Sequence, residues 1–444
     1  MARLNPSAYV EEPVPQSRTV CRVLQPSLPP LVVGFDLDMT LLDTRSGNKL
    51  LAGVRAALES VADLGGRVVV VTAKYGPSAQ LHLDHLNLPV DELVGDLFGE
   101  GAGQALGQSG AGIYVSDHGY DVAGARAAGA LAVAVATGPW SVDELAAAGA
   151  DVVLADLTEF PDWLGRHVLQ ERLDALEVRL RDLGSVMVAF SGGADSAFLL
   201  AAAVRALGAE RVVAATALSA SLPAAERDPA RDFAIGLGVR YLTPTTHEME
   251  REGYRANAGD RCYFCKAELI EVLKPLAVEL GLAAVATGTN ADDAVAGFRP
   301  GIRAARERQA VTPLLDAQLT KQQVRAASRL WGLPTWDKPA AACLSSRIAY
   351  GIQVSPSRLA RVERAEVAVR AGLADAGVVV EQLRVRDLGD TGRVELDARA
   401  LSLVSSDDRL AALVLSAVKG AGFEAVEIDP TGFRSGSMNE LLPQ

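Results

Sequence analysis

The apolar run Val186–Phe190 leads into Ser191-Gly192-Gly193-Ala194-Asp195-Ser196, and an apolar, helix-length stretch follows. A strand, a glycine turn and a helix in that order build an anion site, because two glycines let the backbone close on the ligand. The helix N-terminus then offers its unsatisfied N–H groups. Ser191 and Ser196 add hydroxyl donors, while the anionic Asp195 is suited to orienting the loop or Mg2+. The pattern differs from the GxxxxGK[ST] loop of kinases and GTPases. Three of the four cysteines lie in the same half. Cys262 and Cys265 form Arg261-Cys-Tyr-Phe-Cys-Lys266 at a loop-to-helix junction, and Cys343 sits in Lys338-Pro-Ala-Ala-Ala-Cys-Leu-Ser-Ser-Arg347. Neighbouring Lys and Arg favour the thiolate, the nucleophilic form. By itself the CxxC pair fits a zinc ligand pair, a redox pair or part of an iron–sulfur site. Cys21, in the N-terminal tail, has no such setting.

A second group of reactive residues lies upstream. Asp36 and Asp38 sit two residues apart after the strand LVVGF, in Asp-Leu-Asp-Met-Thr40, where one carboxylate can attack phosphorus or hold Mg2+ and the other move a proton. Thr72 closes the next strand, VVVVT, and Asp117 and Asp121 follow GIYVS. Near the C-terminus, Arg384 and Arg386 alternate on one face of a predicted strand, which suits a phosphate or carboxylate. Asn290, Asp292 and Asp293 follow the strand AAVAT, placed to face a nucleotide crevice or to cap the next helix.

Short apolar runs alternate with amphipathic stretches to position these residues, so the predicted class is α/β: two doubly wound parallel sheets and a small α+β region at the end. The expected divisions are an irregular tail over 1–28, then 29–166, 167–354 and 355–444. The first boundary between sheets falls near a long helix over Leu169–Leu183. One helix separates Asp38 from Thr72, too little for a lid. The 444 residues carry 43 Lys+Arg against 55 Asp+Glu, a net charge of −12 that argues against nucleic acid as a partner. The sequence has no apolar run of the about 20 residues needed to span a bilayer and no signal-peptide pattern. Four cysteines make no disulfide framework, and the expected compartment is the cytoplasm.

The DxDxT…T…DxxxD series over about 30–165 resembles the haloacid-dehalogenase-like phosphohydrolases. That resemblance implies Asp36 as nucleophile, Asp38 as acid/base, Thr72 as phosphate contact, and Asp36, Asp38, Asp117 and Asp121 around Mg2+. The family's Lys before the last acidic motif is missing: no Lys or Arg occurs from Val94 to Ile113. Lys74 is a substitute close in sequence.

The Ser191–Ser196 loop resembles that of the ATP pyrophosphatases, which cleave ATP between its α- and β-phosphates and adenylylate a substrate. SGGADS, RCYFCK, ATGTNADD, GFRPG, KPAAACLSSRIAYG, LRVR and GFRSGSMNE, in that order over Leu169–Gln444, resemble the ATP-dependent sulfur transferases that make the nickel-pincer nucleotide of lactate racemase. The resemblance implies ATP on Ser191, Gly192, Gly193, Ala194, Ser196, Asn290 and Asp292, with Asp195 and Cys343 in the chemistry. It puts Arg299, Arg347, Arg384, Arg386, Arg434, Ser435, Ser437 and Glu440 in family motifs suited to the substrate. Pyridinium-3,5-biscarboxylic acid mononucleotide is the implied acceptor, converted to a thiocarboxylate. Some members surrender the sulfur of their Cys, leaving dehydroalanine; others hold a [4Fe-4S] cluster on three Cys, for which Cys262, Cys265 and Cys343 are the set here. Ala-Val-Ala-Gly-Phe298 departs from the acidic and Tyr residues usual in that position. The family also implies a homo-oligomer. The competing expectations are tRNA thiolation or amidation by the same loop, or two docking modules without catalysis. The fusion itself suggests that the upstream half dephosphorylates a substrate or product.

Overall fold

The computed structural model describes residues 28–97, 100–295, 297, 299–339, 342–434 and 438. The first half is a six-stranded parallel sheet ordered Glu92–Val94, Arg67–Val71, Val32–Phe35, Ile113–Ser116, Leu131–Val135, Val152–Leu154. Its inner strands are continuous apolar runs because helices cover both faces, so successive side chains are buried whichever way they point. The second half holds a four-stranded parallel sheet ordered Arg240–Leu242, Val212–Ala215, Val186–Ala189, Ala284–Thr287.

In each sheet the strand carrying the leading motif sits where the order reverses. Val32–Phe35 lies between Arg67–Val71 and Ile113–Ser116; Val186–Ala189 lies between Val212–Ala215 and Ala284–Thr287. The loops beyond such a strand part to opposite faces and leave a crevice at its C-terminal end. Asp36 and Ser191 both occupy that position.

Between Asp38 and Thr72 the structure adds to the one expected helix, Val54–Asp63, a short hairpin of Leu42–Asp43 and Lys49–Leu50. The long helix starts earlier than the periodicity suggests and runs Phe160–Leu183, across the expected boundary at 166/167. Its first turns, with Phe160, Leu164 and Val168, complete the core of the first sheet; Leu169, Leu176 and Leu180 belong to the core of the second. Buried Arg172 ties the two by donating to Leu64 O at 3.1 Å and Gln323 Oε1 at 2.6 Å. The last part pairs Leu383–Asp387 antiparallel with Thr391–Leu396, which runs parallel to Ala425–Ile428. Helices Pro356–Asp375, Ala398–Ser406 and Asp408–Gly420 accompany that sheet. Among the described residues no helix is long and apolar enough to cross a membrane.

Arg172→Met removes the buried bond to Gln323 and the part-buried one to Leu64, so it is expected to lower unfolding free energy by about 1–3 kcal/mol. Chemical denaturation of wild type and variant measures that difference.

Candidate functional site

A cavity of about 820 Å³ opens beyond the C-terminal ends of the second sheet's strands. Ser191, Gly193, Asp195 and Ser196 line one side, Thr216 and Leu222 another, and Gly288, Thr289, Asp293 and Arg299 a third. Gly192 has φ +72°, the left-handed region, and lets the loop turn back on itself. Inside the turn, Ser191 N donates to Ser196 Oγ at 3.3 Å, and Ser196 Oγ donates to Gly193 O at 3.1 Å. Helix Ala194–Leu207 then aims its N-terminus at the cavity.

Asp195 stands in the first turn, its carboxyl pushed up by burial, with Lys321 opposing. Its Oδ1 is buried without a hydrogen-bond partner among the described residues. An orphaned carboxylate oxygen beside a phosphate-shaped loop fits Mg2+, which keeps most of its waters and takes one or two protein carboxylates. Asn290 is buried, and its Oδ1 accepts from Asp293 N at 3.1 Å. Asp292 turns away and caps the Lys321–Leu330 helix through Lys321 N at 2.7 Å. Of this acidic pair, Asp293 is the one that lines the cavity.

Helix Arg261–Glu279 places Cys262 in its first turn and Cys265 at the start of its second. Cys262 opens on the cavity with Lys266 and Tyr350, whereas Cys265 packs against the C-terminal core. Cys343 does not itself line the cavity. It precedes the turn Leu344–Arg347, and its Sγ lies 3.0 Å from Ser345 Oγ. What holds this turn beside the CxxC helix is Arg261, buried, whose Nη1 donates to Ser345 O at 2.7 Å and to Asn257 Oδ1. Asn257, fully buried with φ +53°, returns Nδ2 to Ala349 O at 2.8 Å and Ile352 O at 2.9 Å. Leu344 N donates to Ser221 O at 2.9 Å, and Ser221 and Tyr254 share a short hydroxyl bond.

Lys and Arg neighbours were expected to favour thiolates. At Cys262 and Cys265 burial wins and raises both thiols, and the charge of Cys343 adds to the rise. Among the described residues no three His, Cys, Asp or Glu side chains form a group ready to hold a metal ion. A [4Fe-4S] cluster needs three thiolates at once and would itself deprotonate the thiols that hold it, so the raised Cys262 and Cys265 describe the metal-free site alone.

Arg347 is buried behind Cys343, with Nη1 on Cys343 O at 2.9 Å and Nε on Glu366 at 2.9 Å. Arg384 and Arg386 are also buried rather than on a solvated hairpin face. Arg386 pairs with Glu395 at 2.7 Å and donates to Ser346 O at 3.3 Å. Arg384 is pushed down to about 10 by burial and then by the charge of Arg347. Together they make a cationic wall behind the Cys343 turn. Arg434 lies elsewhere, in a groove of about 290 Å³ with Arg393, Glu427 and Asp429. Ser435, Ser437 and Glu440 lie outside the described residues, as does Cys21.

In the first half, Asp36 and buried Asp117 end adjacent strands, and Asp121 lies in the first turn of the following helix. Burial raises Asp36 well above the usual carboxylate range, and the charge of Asp121 adds to it; burial takes Asp117 to about 6. Lys74 Nζ donates to Asp38 Oδ1 at 2.6 Å, and its backbone N–H reaches Thr72 Oγ1 at 3.2 Å. Crowded carboxylates that resist ionisation suit a cation, and two of them suffice for Mg2+.

Sequence reasoning passed over Asn257, Ser221 and Tyr254, whose side chains touch residues up to 95 positions away. Gly288 lies within the ATGTNADD motif, after the strand Ala284–Thr287. A Cβ there would stand 2.9 Å from Ser196 N and 3.1 Å from the carbonyl carbon of Asp195. Gly288→Ala is therefore expected to displace the Ser191–Ser196 loop and weaken ATP binding at least about tenfold, with little loss of helical signal. Isothermal titration with ATP and Mg2+ measures it.

No family model matches the chain. An uncharacterized protein of Synechocystis sp. is 39% identical over 275 residues, which are 62% of this chain and 99% of that protein. The pyridinium-3,5-bisthiocarboxylic acid mononucleotide synthase of Lactiplantibacillus plantarum is 34% identical over 268 residues, 60% of this chain and 93% of its own length. A more distant uncharacterized protein of Methanocaldococcus jannaschii is 25% identical over 179 residues, 40% of this chain and 66% of that one. With nearly the whole of two relatives aligned at 34% and 39% identity, the chain belongs to the family of the pyridinium-3,5-bisthiocarboxylic acid mononucleotide synthase.

Proposed function

We propose that the chain is an ATP-dependent sulfur transferase of nickel-pincer cofactor biosynthesis, acting on pyridinium-3,5-biscarboxylic acid mononucleotide, with a haloacid-dehalogenase-like phosphohydrolase as its first half. The observation that carries the sulfur-transfer reading is a single cavity with the Ser191–Ser196 loop on one wall and Cys262 on another. Arg261 holds the Cys343 turn against the same helix.

In this reading the loop N–H groups and the Ala194–Leu207 helix terminus hold the phosphates. An oxygen of the substrate carboxylate attacks the α-phosphorus, the bond to the β-phosphate breaks, and pyrophosphate leaves. Mg2+ held at Asp195 would offset charge on the departing group. Arg347, Arg384 and Arg386 anchor the phosphate or second carboxylate of the acceptor. Cys343, deprotonated, attacks the acyl carbon and displaces AMP, giving a thioester. Loss of its α-proton and cleavage of the Cβ–S bond then release the thiocarboxylate and leave dehydroalanine. The acidic balance of the chain stands against tRNA as acceptor.

Anaerobic incubation with ATP, Mg2+ and the biscarboxylate nucleotide is expected to yield AMP and the thiocarboxylate, and the mass of the Cys343 peptide to report dehydroalanine. Cys343→Ala is expected to retain AMP formation and lose sulfur transfer. An unchanged Cys343 after turnover, together with protein-bound iron and sulfide, would overturn the sacrificial route.

For the first half, Asp36 serves as nucleophile, Asp38 as acid/base and Thr72 as phosphate contact, with Asp117 and Asp121 beside the Mg2+. Lys74, paired with Asp38, supplies the cation missing between Val94 and Ile113. Lys74→Met is expected to slow Mg2+-dependent phosphate release about a hundredfold, the scale of losing one charge-stabilising group, whereas Asp36→Asn abolishes it. Release that persists in EDTA would count against the metal.

A further inference from the structure

The outer side of the Ser191–Ser196 turn is as closely built as the side that faces the cavity. Ser191 and Gly193 line the cavity, whereas Gly192 between them is buried. Its carbonyl accepts from Lys338 Nζ at 2.9 Å, and the same ammonium donates to Glu226 Oε2 at 2.6 Å. The lysine and glutamate side chains are 22% and 23% exposed, so this is a part-buried pair rather than a solvated surface contact. A Cβ at Gly192 would stand 3.1 Å from Ala230 Cβ and 3.8 Å from Lys338 Nζ. Lys338 is itself held in place. Its backbone carbonyl accepts from Arg325 Nη2 at 2.7 Å, and Arg325 Nη1 donates to Trp336 O at 3.0 Å. Arg325 belongs to helix Lys321–Leu330, whose first N–H is capped by Asp292, the neighbour of cavity-lining Asp293. Glu226 closes the turn Ala224–Glu226, shortly after the cavity residue Leu222.

A trans peptide unit is planar, and its C=O and N–H point in opposite directions. With Gly192 O turned outward onto Lys338, the N–H of the same unit, on Gly193, is turned toward the cavity. Its contact within the loop is a long one, 3.4 Å to Ser191 Oγ, weak enough to yield to a phosphate oxygen. Glycine rotates its flanking peptides at little steric cost, and Gly192 is already left-handed at φ +72°. Two glycines in succession therefore allow the unit to turn over, which would aim a carbonyl oxygen at the anion instead. The charge-assisted bond from Lys338 selects the useful orientation, because a buried carbonyl turned away from it loses its donor. The ammonium also polarises the amide, which strengthens its N–H as a donor.

We propose that Lys338 is a positioning residue for phosphate binding: it locks the Gly192–Gly193 peptide with its N–H toward the cavity, and Glu226 fixes the ammonium for that task. The inference rests on the reading of Ser191–Ser196 as the ATP loop. In this role Lys338 acts through the backbone and touches no phosphate, so Glu226 aids anion binding instead of competing with it.

Isothermal titration of the full chain with ATP and Mg2+, with pyrophosphate and Mg2+, and with adenosine tests this role. Lys338→Met is expected to weaken ATP and pyrophosphate at least about tenfold and to leave adenosine, which has no phosphate, within about twofold. Glu226→Gln, neutral and of the same size, is expected to weaken ATP about threefold, and it carries the test should Lys338→Met fail to fold. Were Lys338 a direct phosphate ligand, removing the competing carboxylate would tighten ATP binding. A Glu226→Gln variant that binds ATP as well as wild type, or better, therefore overturns the proposal. Undiminished ATP or pyrophosphate affinity in Lys338→Met, or an equal loss of adenosine, overturns it too while the reading of the loop stands. A wild-type chain that binds neither ATP nor pyrophosphate overturns that reading itself.

Discussion

The arrangement of the three cysteines beside the cavity depends on one buried guanidinium. Arg261 opens the helix that carries Cys262 and Cys265, and the same side chain donates to Ser345 O in the turn after Cys343. Asn257 shares it and gathers the following backbone carbonyls. A charge taken out of water must be met by acceptors fixed in place, because each one left unmet costs about 1–3 kcal/mol. Such a network tolerates one placement of the Cys343 turn, beside the cavity wall. Asn257 accepts a left-handed backbone there, which Asn adopts more readily than other non-glycine residues.

Behind that turn lies an unusual concentration of buried positive charge. Arg347 and Arg386 have carboxylate partners in Glu366 and Glu395, while the nearby Arg384 is held below its ordinary range by burial and by Arg347. An arrangement in which cations crowd one another would gain from an arriving anion. The thiols on the other side are in the opposite condition: loss of water raises Cys265 and, at the cavity wall, Cys262, and the charge of Cys343 adds to both.

Both sheets place their leading motif at the reversal of strand order, and both crevices hold a carboxyl group raised by burial. Near Asp36 the carboxylates crowd each other; at Asp195 one oxygen is buried without a partner. Helix Phe160–Leu183 spans both cores, so the halves are packed through one rigid element rather than a linker.

Strand and helix alternation, the glycine turn at Ser191–Ser196 and the strand-end aspartates were legible because each is a local pattern: a period, a turn residue or a capping position. The six-stranded and four-stranded sheets follow that reading closely. Local pattern failed where partners are remote. Nothing near Asp292 reveals that it caps the helix at Lys321, so its neighbour Asp293 faces the cavity instead. Arg384 and Arg386 alternate like a solvated hairpin, and only the packed surroundings bury them. Arg434 shares a motif with substrate-type residues yet sits in a separate groove. Lys74 has a defined partner only once two strands lie side by side and bring it to Asp38. Residue type and spacing thus determined which chemistries the chain can carry. Folding decided which groups meet and which stay protonated, since burial and long-range hydrogen bonds belong to no single stretch of sequence.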